Sequence, residues 1–208
     1  MTAVKICGLS SVEDAVFASQ TGAALLGFVF APSRRQVGPQ QARSIIATVR
    51  EQSHPGMVGV FVNLPAAEVN RIADQCRLDY VQLSGEEPEA VIQAIELPVI
   101  KTIHVGEGMT RAAIQDRLDR TPASIIHFDT AIAGRHGGTG QVFDWSLLPT
   151  CPVPVLLAGG LDPMNVEAAI RAVRPWGVDV SSGVETNGTK DSRKIQQFIQ
   201  RAAAPPDS

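Results

Sequence analysis

Long apolar runs are missing from this chain. The longest, residues 22–32, falls far short of the roughly 20 apolar residues that a membrane-spanning helix requires, so no membrane role is expected. Cysteine is scarce: Cys7, Cys76 and Cys151 are odd in number and form no C-x-x-C pair. That pattern excludes a disulfide framework or zinc cluster and reads as reduced thiols in a cytoplasmic protein. Excess charge is absent too. Eighteen Lys and Arg against 21 Asp and Glu leave a net charge of −3 with no basic stripe, which excludes nucleic acid and polybasic membrane surfaces as partners. The histidines form no H-x-H or H-E-x-x-H pattern, so neither a metal nor another cofactor is expected, and His54 and His136 read as solvated loop residues. The first residues reach Lys5, Glu13 and Asp14 without an uninterrupted apolar stretch, unlike a secretory signal. No linker or low-complexity tract divides the chain. It reads as one domain over residues 1–204, with a frayed tail at 205–208 that begins with Pro205-Pro206.

What is present is a rhythm. Among 208 residues of ordinary hydrophobic content (44%), eight short β-branched or apolar runs recur at 3–7, 25–30, 57–62, 80–83, 99–103, 124–128, 153–157 and 178–181. Stretches with helical apolar spacing separate most of them, at 11–20, 40–51, 65–76, 88–95, 109–118, 163–173 and 192–203. Only the interval after the sixth run is poor in helix, because Phe143-Asp144-Trp145-Ser146-Leu147-Leu148 allows no more than a short turn. Alternating strands and helices imply a parallel sheet, and eight units favour closure into a single-domain (β/α)₈ TIM barrel.

Side chains alternate across a strand, so parity separates two faces. Val4 and Ile6 oppose Lys5 and Cys7; Ile126 and Phe128 oppose His127 and Asp129; Val178 and Val180 oppose Asp179 and Ser181; Val81 and Leu83 oppose Gln82 and Ser84. The apolar face must meet the helices, which leaves the polar set facing the barrel interior. A buried charge is costly unless paired, and Asp179 could pair with Lys5 there. Cys7, Asp129 and Asp179 fall at or near C-terminal strand ends, where barrel enzymes keep their chemistry. Glycine clusters follow the last three runs, at Gly137-Gly138-Thr139-Gly140, Ala158-Gly159-Gly160 and Ser181-Ser182-Gly183. Backbone amides in such loops approach an anion closely, and three clusters about twenty residues apart suggest one phosphate site shared by consecutive loops.

These segments together resemble the phosphoribosylanthranilate isomerase family over nearly the whole chain. The resemblance rests on Val4-Lys5-Ile6-Cys7-Gly8, Gly27-Phe28-Val29-Phe30, Ser33-Arg34-Arg35, Val81-Gln82-Leu83, the three glycine clusters, and Val178-Asp179-Val180-Ser181-Ser182-Gly183-Val184-Glu185. It implies an Amadori rearrangement of a phosphorylated aminoaldose in tryptophan biosynthesis, without cofactor, by a cytoplasmic monomer or homodimer. Carried over residue by residue, Cys7 would be the general base and Asp129 the general acid. Arg35 would contact the anthranilate moiety, with Arg34 the competing choice, and Asp179, Gln82 and Lys5 would complete the substrate-binding set. Gly138, Thr139, Gly140, Gly159, Gly160, Ser181, Ser182 and Gly183 would surround the phosphate. One departure stands out: the family usually reads Q-L-H-G where this chain has Gln82-Leu83-Ser84-Gly85. Two other readings stay open, a different phosphate-binding barrel and a non-catalytic phosphate binder. The loops after Val62 and Leu83 lack the glycine pair that a second phosphate site would need.

Overall fold

The computed structural model describes residues 2–130 and 142–203. Eight parallel strands close into a barrel: β1 (Ala3–Cys7), β2 (Leu25–Val29), β3 (Gly56–Phe61), β4 (Tyr80–Leu83), β5 (Val99–Val105), β6 (Ile125–Thr130), β7 (Val155–Leu157) and β8 (Gly177–Val180). Each strand pairs with its sequence neighbour, and β8 pairs with β1 to complete the ring. Helices α1 (Val12–Thr21), α2 (Pro39–Arg50), α3 (Ala66–Cys76), α4 (Glu89–Gln93), α5 (Arg111–Asp119), α6 (Val166–Val173) and α7 (Ser192–Ala203) accompany the strands. The sequence reading of fold and topology therefore holds, while the reading of 205–208 as a frayed tail lies outside the described residues.

Local chemistry sets the element ends. Ser11 caps α1 by accepting from the Asp14 amide, beside the acids of its first turn, and Gly22 closes it in the left-handed conformation. Pro39 opens α2, where its missing N–H costs nothing. Between β6 and β7 the described residues hold only a 3₁₀ turn, Trp145–Leu147, whose start is capped by the Asp144 carboxylate accepting from the Ser146 amide at 2.9 Å. Strand β7 starts two residues later than its apolar run because Pro154 has no amide to donate to a ladder. Strand β5 runs two residues further than expected, to Val105, and this extension puts His104 on the same face as Thr102.

The interior is layered. One core fills the space between sheet and helices and includes Val4, Ile6, Leu26, Phe28, Met57, Phe61, Val81, Phe128 and Val178. Met57 is fully buried there, whereas Trp176 is exposed. A separate plug of Leu25, Val58, Ile100, Ile125 and Leu156 packs inside the barrel. Thr102 and His127 stand two residues after Ile100 and Ile125 on the same inward face, so the polar layer sits nearer the C-terminal mouth.

Candidate active site

A cavity of about 320 Å³ opens at that mouth. Cys7 from β1, Gln82 from β4, Asp129 from β6, Asp179 from β8, and Arg35 and Ser181 from the following loops all wall it. The thiol and the carboxyl singled out by position thus share one chamber. A smaller hollow of about 40 Å³ adjoins it, sharing Asp129, Asp179 and Ser181 and adding Gly159, Gly160 and Ser182. A larger hollow of about 510 Å³ beside Trp145 and Trp176 contains none of this polar set.

Lys5 is completely buried, and its ammonium meets Asp179 Oδ2 at 3.0 Å. The pairing suggested by parity is therefore present, and Asp179 does more besides. The His127 ring meets the same Oδ2 through Nε2 at 3.0 Å, while Oδ1 is buried without a partner among the described residues. Burial alone would push the Asp179 carboxyl up, but Lys5 and His127 outweigh it and hold the carboxyl at about 2. The reciprocal effect acts on Lys5: burial pulls the ammonium down, yet Asp179 and Cys7 leave it above its ordinary value.

Gly27 faces Cys7 across the β1–β2 ladder, and a Cβ there would lie 2.8 Å from the sulfur; the bare backbone is what leaves room for the thiol. Lys5 and Lys190 both act to depress this thiol, but burial dominates and the thiol lies above its ordinary value. Asp129 also lies above its ordinary value, chiefly through burial, with the charge of Asp179 adding to the rise and His127 and His104 opposing it. Its Oδ1 accepts from the Thr130 amide at 2.8 Å.

The adjacent arginines diverge. Arg35 is largely buried, walls the cavity, and grips Glu185 with Nε on Oε1 at 2.6 Å and a terminal nitrogen on Oε2 at 2.9 Å. Arg34 is 56% exposed in its side chain and reaches the same carboxylate from outside at 2.6 Å. Lys190 adds a third cation, bonding Glu185 Oε1 at 3.1 Å and the Ser181 carbonyl at 2.8 Å. Three cations around one carboxylate make this rim positive despite the acidic chain. Lys190 arrives on a small hairpin, β9 (Glu185–Thr186) with β10 (Thr189–Lys190), turned by Asn187 and Gly188 at φ 52° and 83°. Neither Glu185 nor Lys190 was singled out from sequence as a site residue. The Asn-Gly pair between two short extended segments was the available signal, because both turn residues of that hairpin type need positive φ.

Of the phosphate candidates, Gly159 and Gly160 hold positive φ (86° and 66°) and wall the small hollow with Ser181 and Ser182. Gly183 has a different reason to be glycine, since a Cβ there would run into the Leu161 carbonyl, so it sets the approach of the last two loops. Gly138, Thr139 and Gly140 lie outside the described residues. Ser84, standing where the resembled family has histidine, is buried and bonded to Gln82 and Thr102 at 3.0 and 2.9 Å.

Known proteins resemble this chain over most of its length. The family model of N-(5'phosphoribosyl)anthranilate (PRA) isomerase matches residues 4–201. An N-(5'-phosphoribosyl)anthranilate isomerase of Dehalococcoides mccartyi is 44% identical, over 97% of this chain and 95% of the relative. The crystal structure of phosphoribosyl anthranilate isomerase from Thermotoga maritima superposes with a TM-score of 0.85 at 38% identity, covering 97% of this chain and 98% of that one. A phosphoribosyl anthranilate isomerase in complex with reduced 1-(o-carboxyphenylamino)-1-deoxyribulose 5-phosphate gives a TM-score of 0.80 at 36% identity, with the same coverage.

Proposed function

The chain belongs to the N-(5'-phosphoribosyl)anthranilate isomerase family and is an aldose–ketose isomerase of tryptophan biosynthesis; on that premise we propose how its own residues divide the work. The substrate is an N-glycosylamine with a closed furanose ring. Asp129 protonates the ring oxygen, the C1′–O bond opens, and an iminium forms. Cys7, as thiolate, takes the C2′ proton, the electron pair of that C–H bond moves to give an enolamine, and tautomerisation delivers the aminoketose. Proton donor and acceptor must stand on different sides of the sugar, which suits β1 and β6 on separate arcs of the ring.

One observation carries this reading: Cys7 and Asp129, fixed on different strands, wall the same cavity beside a second hollow lined by Gly159 and Gly160. Burial favours a protonated Asp129, as an acid requires. Arg35 reaches the cavity wall, unlike Arg34, and its guanidinium suits the carboxylate of the anthranilate ring. Gly159, Gly160, Ser181 and Ser182 cradle the phosphate, with Gly138, Thr139 and Gly140 completing the cradle and Gly183 fixing its shape. Asp179 and Gln82 receive sugar hydroxyls, and Lys5 holds Asp179 ionised. The enzyme works in the cytoplasm as a monomer or homodimer.

The test generates phosphoribosylanthranilate in situ and follows the loss of its fluorescence. Cys7→Ala and Asp129→Ala each lower turnover by roughly 10²-fold or more, the scale of a general acid–base contribution. Near-parental turnover in both variants would remove the assignment.

A further inference from the structure

A continuous row of hydrogen bonds crosses the barrel along the cavity wall, which Gln82, Ser84, His127 and Asp179 all line. Gln82 Nε2 lies 3.0 Å from Ser84 Oγ; Ser84 Oγ lies 2.9 Å from Thr102 Oγ1; Thr102 Oγ1 lies 3.0 Å from His127 Nδ1; and His127 Nε2 lies 3.0 Å from Asp179 Oδ2. All five residues are buried, and the row ends at the Lys5 ammonium on β1. It therefore links β4, β5, β6, β8 and β1 through side chains alone.

Donor and acceptor rules give the row one direction. Asp179 accepts from Lys5, and an ionised carboxylate can only accept, so His127 Nε2 carries the proton that points at it. In the neutral ring Nδ1 is then the acceptor, and the Thr102 hydroxyl donates to it. Thr102 in turn accepts from the Ser84 hydroxyl, and Ser84 accepts from the Gln82 amide, whose nitrogen can only donate. Every hydrogen points toward Asp179. Bonds aligned head to tail polarise one another in a low-dielectric interior, so the last bond, onto the carboxylate, is reinforced by the ones behind it.

The row also fixes which atoms stay bare. With Oδ2 held by two donors, Oδ1 of Asp179 has no partner; at the other end Gln82 Oε1 is likewise buried and unpartnered among the described residues. Both residues wall the 320 Å³ cavity. Two buried acceptors without donors would be costly in a site that stayed empty, and a sugar hydroxyl supplies what each lacks.

We propose that His127 is a positioning residue: held in its Nε2–H form by the Ser84–Thr102 hydroxyl pair, it locks the Asp179 carboxylate so that Oδ1 faces a hydroxyl of the substrate's ribose. This deepens the reading of Asp179 as a sugar-hydroxyl acceptor and rests on it. His127 touches neither reacting atom in this scheme, and its effect passes wholly through the orientation of Asp179.

The test combines kinetics with nitrogen NMR of protein labelled at histidine. In the parental protein without substrate, the His127 ring shows the Nε2–H tautomer, and Thr102→Val shifts its Nδ1 resonance downfield as the hydroxyl donor is lost. His127→Leu lowers kcat/KM roughly 10- to 100-fold, the size of one lost charge-assisted hydrogen bond, whereas His127→Gln, whose amide can donate to Asp179, recovers most of the loss. Circular dichroism checks that each variant is folded, and Thr102→Val carries the test if His127→Leu does not fold. An Nδ1–H tautomer, or a doubly protonated ring, overturns the row whatever the enzyme's activity. Equal losses in the Leu and Gln variants show that ring packing alone matters and overturn the positioning role. Parental kinetics in His127→Leu do the same. A Thr102→Val variant with an unmoved Nδ1 resonance and parental kinetics also counts against the proposal. If Asp179→Asn retains parental KM and kcat while the tautomer is as stated, the reading of Asp179 falls and takes the positioning role with it, but the row itself stands.

Discussion

Asp179→Asn removes the counter-charge of a lysine that has no contact with solvent. The carboxyl is held at about 2 in the folded protein against an ordinary 3.8. At about 1.4 kcal/mol per unit, roughly 2 kcal/mol of stability depends on this group being ionised. Because the folded value is depressed, that stability is fully present above 3.8 and is lost as the pH falls through about 2. The asparagine variant has no such titration, so the gap in unfolding free energy between the two proteins narrows by about 2 kcal/mol between roughly pH 5 and pH 2. At neutral pH the gap itself is about 3–5 kcal/mol, since Lys5 stays buried without its anion. On the alkaline side Lys5 is raised above 10.5, so its share is fully present below 10.5 and is lost as the pH rises through the raised value. Urea unfolding followed by the fluorescence of Trp145 and Trp176, repeated across acid pH, measures the gap. A gap that stayed constant from about pH 5 downward would refute the linkage, because groups common to both proteins cancel. Adding Lys5→Met to Asp179→Asn recovers stability by removing the orphaned charge.

Two further outcomes concern activity. Burial raises both Cys7 and Asp129, which favours the protonated carboxyl and works against the thiolate. With the thiol the weaker acid of the two, the profile of kcat/KM against pH has its acid limb set by Asp129 and its alkaline limb set by Cys7, the reverse of their nominal roles. In Cys7→Ser the alkaline limb moves to higher pH while the acid limb stays; an unmoved alkaline limb would reject the assignment. At the rim, Arg35→Met raises KM roughly 10- to 100-fold, whereas Arg34→Met, removing a half-exposed ion pair, changes it by less than about threefold. Comparable effects from both would return the choice of arginine to an open question.

Much of the barrel was legible because its signals are local. Eight apolar runs and the helical spacing between them follow from short-range periodicity, and parity alone placed Lys5, Cys7, Gln82, His127, Asp129 and Asp179 on the inner face. Partnership was harder to read. The contact of Lys5 with Asp179 spans 174 residues, and that of His127 with Asp179 spans 52. Parity could suggest the first pair, but nothing in the spacing indicates that His127 shares the same oxygen. The direction of the Cys7 shift is not legible in the sequence for a similar reason: a lysine two residues away is visible there, while the degree of burial that outweighs it is a property of the closed barrel. His104 was overlooked because the apolar run of β5 ends at Ile103, and two more ladder positions turn it inward.

The strand that brings Asp179 is the last of the eight, and the strand that holds Lys5 is the first. The ion pair is thus a clasp on the barrel's closing seam. A nascent or truncated chain ending before residue 179 has the lysine but no anion to neutralise it, so every shorter fragment that tried to collapse would enclose a bare ammonium. Closure and completion of the catalytic chamber are consequently one event, and splitting the gene between strands should give halves that are inert until they reassemble.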